Sequence, residues 1–209
     1  PNIVQTYELG LVGEDHYIAM EFIHGQDLTR VNRALRAEQF RMPMGLAVYT
    51  VAMMLRGLGF AHSLTDARGR PLNLVHRAVS PHNVMLSFQG EVKIFDFGIA
   101  RLLGDTMGHE KQVVPRGGKF AYMSPEQAEI TTDDIDSRSD IYSLGVVLYE
   151  LLIGVLPFDM EELRQSGFEG LLRTIREEDP LTPSTRLGRL TGTSLEVAKS
   201  RSSEIRSLR

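Results

Sequence analysis

Two side chains that could bind a divalent cation lie close together in this sequence. Asp96 follows a short apolar run, and Asn83 lies thirteen residues before it in a loop that contains His76, Arg77 and Ala78. Carboxylate and amide oxygens are hard donors that suit Mg²⁺. A turn-forming Asp and a loop-capping Asn would have the same residue types, so the pair alone leaves a purely structural interpretation open.

Four motifs follow one another in a fixed order along the chain. They are Val75–Leu86, Asp96-Phe97-Gly98, Tyr122-Met123-Ser124-Pro125-Glu126 and Asp140–Gly145. In type and order they resemble the catalytic lobe of bacterial-type Ser/Thr protein kinases, the eukaryotic-like kinase family. Any one motif alone would be weak evidence, and the resemblance covers roughly residues 1–180.

The resemblance implies ATP-dependent phosphorylation of protein hydroxyls, with ATP and Mg²⁺ as cofactors. We expect this chain to bind MgATP weakly or not at all, because it shows neither the phosphate loop nor its lysine. The resemblance assigns the metal to Asp96 and Asn83. Glu21 and Ile23 fall where such kinases place the hinge that binds adenine, and Met85 falls at the floor of the pocket. An ordinary strand and a core methionine are the alternatives for these last three residues.

Further roles follow from the resemblance for residues around the loop. His76 and Phe97 should stack beneath the site, and Asp140 should hold the backbone of the loop, although it could simply cap its helix. Arg77 should gather a phosphorylated activation loop, with a plain surface arginine as the alternative. Glu126 should pair with an arginine, for which the sequence shows no counterpart.

The largest departure from the family is Ala78, which occupies the position of the catalytic aspartate. A methyl group cannot accept or orient the proton of a substrate hydroxyl. Loss of a positioned base commonly removes ~10²- to 10⁴-fold of rate. The sequence therefore predicts an inactive or severely impaired enzyme.

A second departure concerns a pair of positions. Ser80 replaces the usual lysine of the loop, while Lys119 stands five residues before Ser124, where a threonine is usual. One hypothesis is a cation swap, in which Lys119 supplies the charge that Ser80 cannot; a solvated loop lysine is the alternative. Thr106 is the candidate phosphoacceptor of the intervening segment.

The expected fold class is α+β: a mostly helical, kinase-like C-terminal lobe with short β-hairpins, and an N-terminal lobe that is largely absent. The chain begins with Pro1 and shows no glycine-rich phosphate loop and no strand lysine, so we expect a fragment. We divide it into a last N-lobe hairpin with the hinge (1–23), the C-lobe (24–180) and a basic, Ser/Thr-rich tail or linker (181–209).

Periodicity supplies the elements that must position the site. Hairpins are expected at Gln5–Val12 with Tyr17–Ile23, and at Val84–Phe88 with Glu91–Phe95. Apolar residues spaced by three and four predict a helix with one buried stripe: Met44, Val48, Val51, Leu55 and Leu58. A helix at Ser139–Ile153 is apolar nearly all round and should be buried. Glu161–Glu178 should form a more polar helix.

Composition limits the other possibilities. The net charge is −4, which argues against nucleic acid as a partner, and cysteine is absent, which excludes thiolate chemistry and Cys-ligated metals. The most apolar stretch noted, Leu144–Phe158, is too short to span a bilayer, so no membrane segment is expected in this piece. A cytoplasmic location and a protein substrate or partner kinase lobe are the corresponding expectations.

Two other functions compete with catalysis. One is a pseudokinase scaffold, a non-catalytic binding module that would use the surface around the acidic helix Glu161–Glu178. The other is a small-molecule kinase of the aminoglycoside or choline type, which shares the loop and the metal aspartate. Such enzymes lack the Ser124-Pro125-Glu126 segment, which disfavours this third class.

Overall fold

Short strands near the N-terminus lead into a helical body. The computed structural model describes residues 1–13, 15–97, 117–129, 135–159, 165 and 167–189. Within them lie five strands: β1 (Thr6–Val12), β2 (Asp15–Met20), β3 (Gly25–Asp27), β4 (Val84–Ser87) and β5 (Val92–Ile94). The same residues form six α-helices: α1 (Leu28–Ala37), α2 (Met44–His62), α3 (Pro125–Ala128), α4 (Ser137–Ile153), α5 (Gly167–Glu177) and α6 (Pro183–Arg189).

The strands form two separate antiparallel sheets. β1 and β2 pair as a hairpin, with Leu9 opposite Ile18, and β3, β4 and β5 form a three-stranded sheet in that order. Gly90 turns the β4–β5 hairpin at φ 88°, a conformation that glycine adopts without strain. Both predicted hairpins are confirmed, as is the α+β fold class with a reduced N-terminal lobe.

The residues before β1 add an interaction that the sequence did not predict. Val4 donates a backbone hydrogen bond to the Ile94 carbonyl at 2.8 Å, and Ile94 donates to the Asn2 carbonyl at 2.9 Å. The Asn2 side chain donates to the Val92 carbonyl. The N-terminal segment is therefore an extra partner for β5, the strand that leads to Asp96.

Helix α2 is present as predicted, but of the predicted stripe only Leu58 is fully buried, with Val51 packed partly against the core. The face that packs on α4 and β5 carries Ala47, Thr50, Met54, Gly57, Leu58 and Ala61. Val48 and Leu55, assigned to the core from the sequence, are 52% and 49% exposed. Apolar residues occupy almost every face of this helix, so spacing alone could not decide which face turns inward.

Helix α2 is also long and apolar enough to cross a membrane by length and composition. The sequence prediction considered Leu144–Phe158 instead and missed this segment. Met54 and Leu58 of α2 are fully buried in the same core as Ile94 and Val147. Core helices of other proteins pass the same length and hydropathy test, and 33% of the apolar window of α2 is buried.

Helix α4 is the buried helix that the sequence predicts. Leu144, Val147 and Leu151 lie in the main core, although Ile141 is 47% exposed. Asp136 caps its N-terminus by accepting the Arg138 N–H, so Asp140 is free for another role. The helix ends at Gly154, where φ is 80° and a Cβ would collide with the Arg41 guanidinium.

The C-terminal part contains a short helix that the sequence did not predict. α5 agrees with the predicted polar helix where it is described, and α6 then begins at Pro183, inside the segment assigned to an unanchored tail. Leu187 is only 2% exposed, and Arg186 lies 3.6 Å from the Asp159 carboxylate. One buried leucine thus anchors a helix in a segment whose composition suggested none. Residues 190–209 lie outside the described part.

Two glycines of α2 offer a matched test of the packing against Asn2. A Cβ on Gly57 would lie 2.7 Å from the Asn2 carbonyl oxygen, whereas a Cβ on Gly59 would meet nothing within 4 Å. We expect Gly57→Ala to lower the free energy of unfolding by ~1–2 kcal/mol through overpacking. Gly59→Ala should raise it by up to ~1 kcal/mol through helix propensity. Urea denaturation measures both, and equal effects would contradict the close approach.

Candidate active site

A single buried carboxylate organises the loop that carries the candidate catalytic residues. Asp140 in α4 is 1% exposed, and its two oxygens accept the backbone N–H groups of His76 and Arg77, each at 2.8 Å. His62 at the end of α2 contacts the same carboxylate at 2.8 Å. The prediction that Asp140 holds the loop backbone is confirmed, and capping of α4 is left to Asp136.

The loop around Ala78 is held by side chains rather than by a strand ladder. Arg77 has φ 65°, a left-handed conformation that is uncommon for a residue with a Cβ. Its carbonyl accepts from Gln127 Nε2 at 2.7 Å. The Ala78 N–H donates to His76 Nδ1 at 3.2 Å, and the Ala78 carbonyl accepts from Asn83 Nδ2 at 2.9 Å. Each of these backbone groups is therefore fixed in direction.

His76 lies beneath the loop in the position that the resemblance implies. Its Nε2 is 2.9 Å from the Phe95 carbonyl, and its ring centroid is 4.5 Å from that of Phe97. The two rings are in contact as predicted, but their planes are tilted by 57° and not stacked in parallel. Burial lowers the pKa of His76, an effect that the nearby Asp140 charge opposes. A neutral ring can accept the Ala78 N–H at Nδ1 while donating from Nε2.

Asn83 and Asp96 lie at one end of the β4–β5 hairpin. Val84 pairs with Ile94, and one step further Phe95 donates its N–H to the Asn83 carbonyl at 3.1 Å. The amide nitrogen of Asn83 donates to the Ala78 carbonyl, and Oδ1 has no hydrogen-bond partner among the residues that the structure describes. Asp96 is partly exposed at φ 66°. The pair fits a cation whose remaining ligands come from phosphate or water.

The described residues contain no group of three or more His, Asp or Glu side chains that could hold a metal. Asn83 and Asp96 alone could therefore anchor Mg²⁺ weakly, and a nucleotide phosphate would have to complete the coordination. Gly98, the third residue of the Asp96 motif, lies outside the described part of the chain, and so does Thr106.

Ser80 and Lys119 are the residues of the proposed cation swap. Ser80 is buried, and its hydroxyl finds no hydrogen-bond partner among the described residues. Lys119 is partly exposed in a short 3₁₀ helix, Gly117–Tyr122. No hydrogen bond or ion pair joins the two within the part of the chain that is described. The swap stays a hypothesis.

The hinge candidates lie directly after β2. The Glu21 carboxylate binds Lys93 Nζ through both oxygens, at 2.7 and 2.8 Å, and accepts the Gln5 N–H. The hydrogen bonds from Lys93, and then from Gln5, lower the pKa of Glu21. Lys93 is opposite Met85 in the β4–β5 ladder. Glu21, a hinge candidate, and Met85, the candidate pocket floor, are therefore neighbours. The Glu21 side chain thus has a structural partner, and Ile23 is partly buried.

A second polar cluster was missed in the sequence. Glu150 accepts from the Tyr122 hydroxyl at 2.6 Å and pairs with Arg36 at 2.8 Å. Burial, and then the neighbouring Glu150 charge, raises the pKa of Tyr122. This cluster joins α1, α4 and the segment before α3. No short motif links residues so far apart, so only the fold brings them together.

Glu126 has a different described partner from the arginine that the resemblance implies. Its carboxylate accepts from the Ser139 hydroxyl at 2.5 Å. Ser139 lies one residue before Asp140 on the buried face of α4. The start of α3 is thereby connected to the helix that holds the loop.

The site combines two features: the buried Asp140 carboxylate binds the loop at His76 and Arg77, and Asn83 and Asp96 lie at the end of the neighbouring hairpin. Together they define a kinase-like catalytic lobe. The family model described as "Protein kinase domain" matches residues 1–208, and the chain belongs to this family. The match extends through the segment that the sequence analysis had assigned to a tail.

Curated relatives agree with a bacterial-type kinase. "Tyrosine-protein kinase MasK" of Myxococcus xanthus (strain DK1622) is 40% identical over 186 residues, which cover 88% of this chain and 28% of the relative. "Serine/threonine-protein kinase PknB" of Mycobacterium leprae (strain TN) is 37% identical over 190 residues, 89% of this chain and 27% of the relative. The chain thus spans under a third of the length of these relatives.

The role of Asp140 can be tested against the cap of the same helix. Asp140→Asn leaves one buried N–H of the loop without an acceptor and should lower the free energy of unfolding by ~1–3 kcal/mol. Asp136→Asn keeps an equally good helix cap and loses only an exposed ion pair with Arg138, so we expect less than ~1 kcal/mol. Thermal or urea unfolding measures both. Equal losses would contradict the anchoring role.

Proposed function

We propose that this chain is the catalytic lobe of a Mg²⁺- and ATP-dependent protein phosphotransferase, impaired by Ala78. The observation that carries the proposal is the fixed loop end of the β4–β5 hairpin: Asn83 Nδ2 donates to the Ala78 carbonyl, and the Asn83 carbonyl accepts the N–H of Phe95, the residue before Asp96. That arrangement serves a metal-bound nucleotide and has no need of a particular side chain at position 78. Kinase domains typically work in solution, so we extend the proposal to a cytoplasmic location.

Each residue of this chain would have one task in the reaction. Asp96 and Asn83 would hold Mg²⁺, whose charge offsets that of the phosphates when MgATP is bound. Glu21 and Ile23 would contact adenine through their backbone, with Met85 as the pocket floor. The acceptor hydroxyl would lie near residue 78, where the methyl group of alanine neither orients it nor accepts its proton. Arg77 would meet a phosphorylated activation segment.

The acceptor class is part of the proposal. We favour Ser/Thr hydroxyls, since the motifs resemble Ser/Thr kinases and several relatives carry that name. The name of MasK makes a tyrosine hydroxyl the second candidate. Matched peptides that differ only in a Ser, Thr or Tyr acceptor distinguish the two.

A non-catalytic scaffold is the competing function. It is supported by Ala78 itself, and by the exposed acidic residues Glu169, Glu177 and Glu178 on and beside α5. A scaffold would bind a protein partner or a partner kinase lobe and would gain nothing from an aspartate at position 78.

The first prediction on function concerns Ala78. In the full-length protein with both lobes, Ala78→Asp should raise phosphoryl transfer to a peptide by ~10²-fold or more, the usual effect of a positioned base. Transfer of ³²P from labelled ATP measures it. Adding Asp96→Asn should abolish the gain, because the metal ligand is lost. If Ala78→Asp gains nothing while MgATP binds, the scaffold function should replace the kinase function.

The second prediction on function concerns Lys119. In the active Ala78→Asp protein, Lys119→Ala should lower kcat by ~10-fold or more if this lysine supplies the charge that Ser80 lacks. Placing the family's usual residues at both positions, Ser80→Lys with Lys119→Thr, should then recover activity. An unchanged kcat for Lys119→Ala would leave Lys119 as a solvated residue and end the swap hypothesis.

A further inference from the structure

Gln127 has two hydrogen-bonding tasks, and only one of them belongs to its own helix. Its Oε1 accepts the Ser124 N–H at 3.1 Å, while the Ser124 hydroxyl accepts the Gln127 N–H at 3.4 Å; together they form the capping box of α3. Its Nε2 donates to the Arg77 carbonyl at 2.7 Å, fifty residues earlier in the chain. One carboxamide therefore joins the start of α3 to the candidate catalytic loop.

The donor half of this carboxamide is not required for capping. A glutamate at the same position would accept the Ser124 N–H equally well, since Glu and Gln both serve in a capping box. Only an amide also offers a donor at the other end of the group. The presence of glutamine is thus explained by the contact to Arg77, which the motifs of the sequence gave no reason to expect.

The bonded carbonyl belongs to the peptide unit that directs residue 78. This unit consists of the Arg77 carbonyl and the Ala78 N–H; Gln127 holds the first and His76 Nδ1 the second. Arg77 is left-handed at φ 65°, a conformation that must be held by its surroundings. Rotation of this peptide unit would turn the Cβ of residue 78 away from its present direction.

We propose that Gln127 is a positioning residue, which fixes the direction of the side chain at position 78 and couples it to the segment that leads into α3. The amide donor acts through the backbone and touches no reacting atom. Its effect on phosphoryl transfer rests on the proposed function, whereas its hold on the loop does not.

The hold on the loop is tested without any catalysis. In the full-length protein, Gln127→Glu keeps the capping acceptor and loses the donor, and Gln127→Met loses the donor without adding charge. Gln89→Glu, in an exposed hairpin turn, controls for the added charge. We expect amide hydrogen exchange at Ala78 to speed up about 10-fold in both Gln127 variants, the equivalent of one lost hydrogen bond. Exchange within α4 should not change.

Two outcomes of the exchange measurement would overturn the anchor. Exchange at Ala78 that matches the Gln89→Glu control in both variants would show that the loop does not depend on Gln127. Faster exchange in Gln127→Glu alone would show charge repulsion rather than a lost donor.

The catalytic consequence is measured in the Ala78→Asp protein. Gln127→Met should lower kcat about 10-fold and change KM for ATP less than 2-fold, since a purely structural role would alter thermal stability but not kcat per folded molecule. An unchanged kcat would overturn the positioning role. Absence of any transfer by Ala78→Asp itself would refute the proposed function instead, and the exchange measurement would still decide on the anchor.

Discussion

The buried charge of Asp140 is the constraint on which the site depends. A carboxylate removed from water must be fully hydrogen-bonded, because an unpaired one carries a large desolvation cost. Asp140 meets this requirement with two backbone N–H groups of the loop and with His62. The core around α4 therefore cannot form unless the loop lies against it. Formation of the core is therefore coupled to formation of the loop at residues 76–78.

A chain of polar contacts spreads this constraint to the segment before α3. Ser139 precedes Asp140 and binds Glu126, and the Ser143 hydroxyl donates to the Tyr122 carbonyl at 2.6 Å. Small hydroxyl side chains on α4 thus bind both the 3₁₀ helix Gly117–Tyr122 and the first turn of α3. The buried helix is apolar enough to form a core and polar enough to align the loops around it.

The sequence predicted those parts of the fold that depend on local signals. Turns at glycine, alternating strands and the helices α2 and α4 were all identified, and the motifs indicated the Asp140 contact. The predicted buried face of α2 was only partly right, with Leu58 buried but Val48 and Leu55 exposed, because the helix is apolar on nearly all sides. The anchoring of α6 by Leu187 was missed because a single buried residue in a polar segment produces no apolar periodicity. Gln127 and Glu150 were missed because their partners are distant in sequence.

The loop at Ala78 keeps its shape without any help from the side chain it presents. Every contact that holds residues 76 to 78 there runs through backbone atoms or through the His76 ring, so the methyl group of residue 78 adds nothing to them. The hydrogen bonds that hold the loop are therefore available whichever side chain stands at position 78, so the residue there can be exchanged without rebuilding the loop.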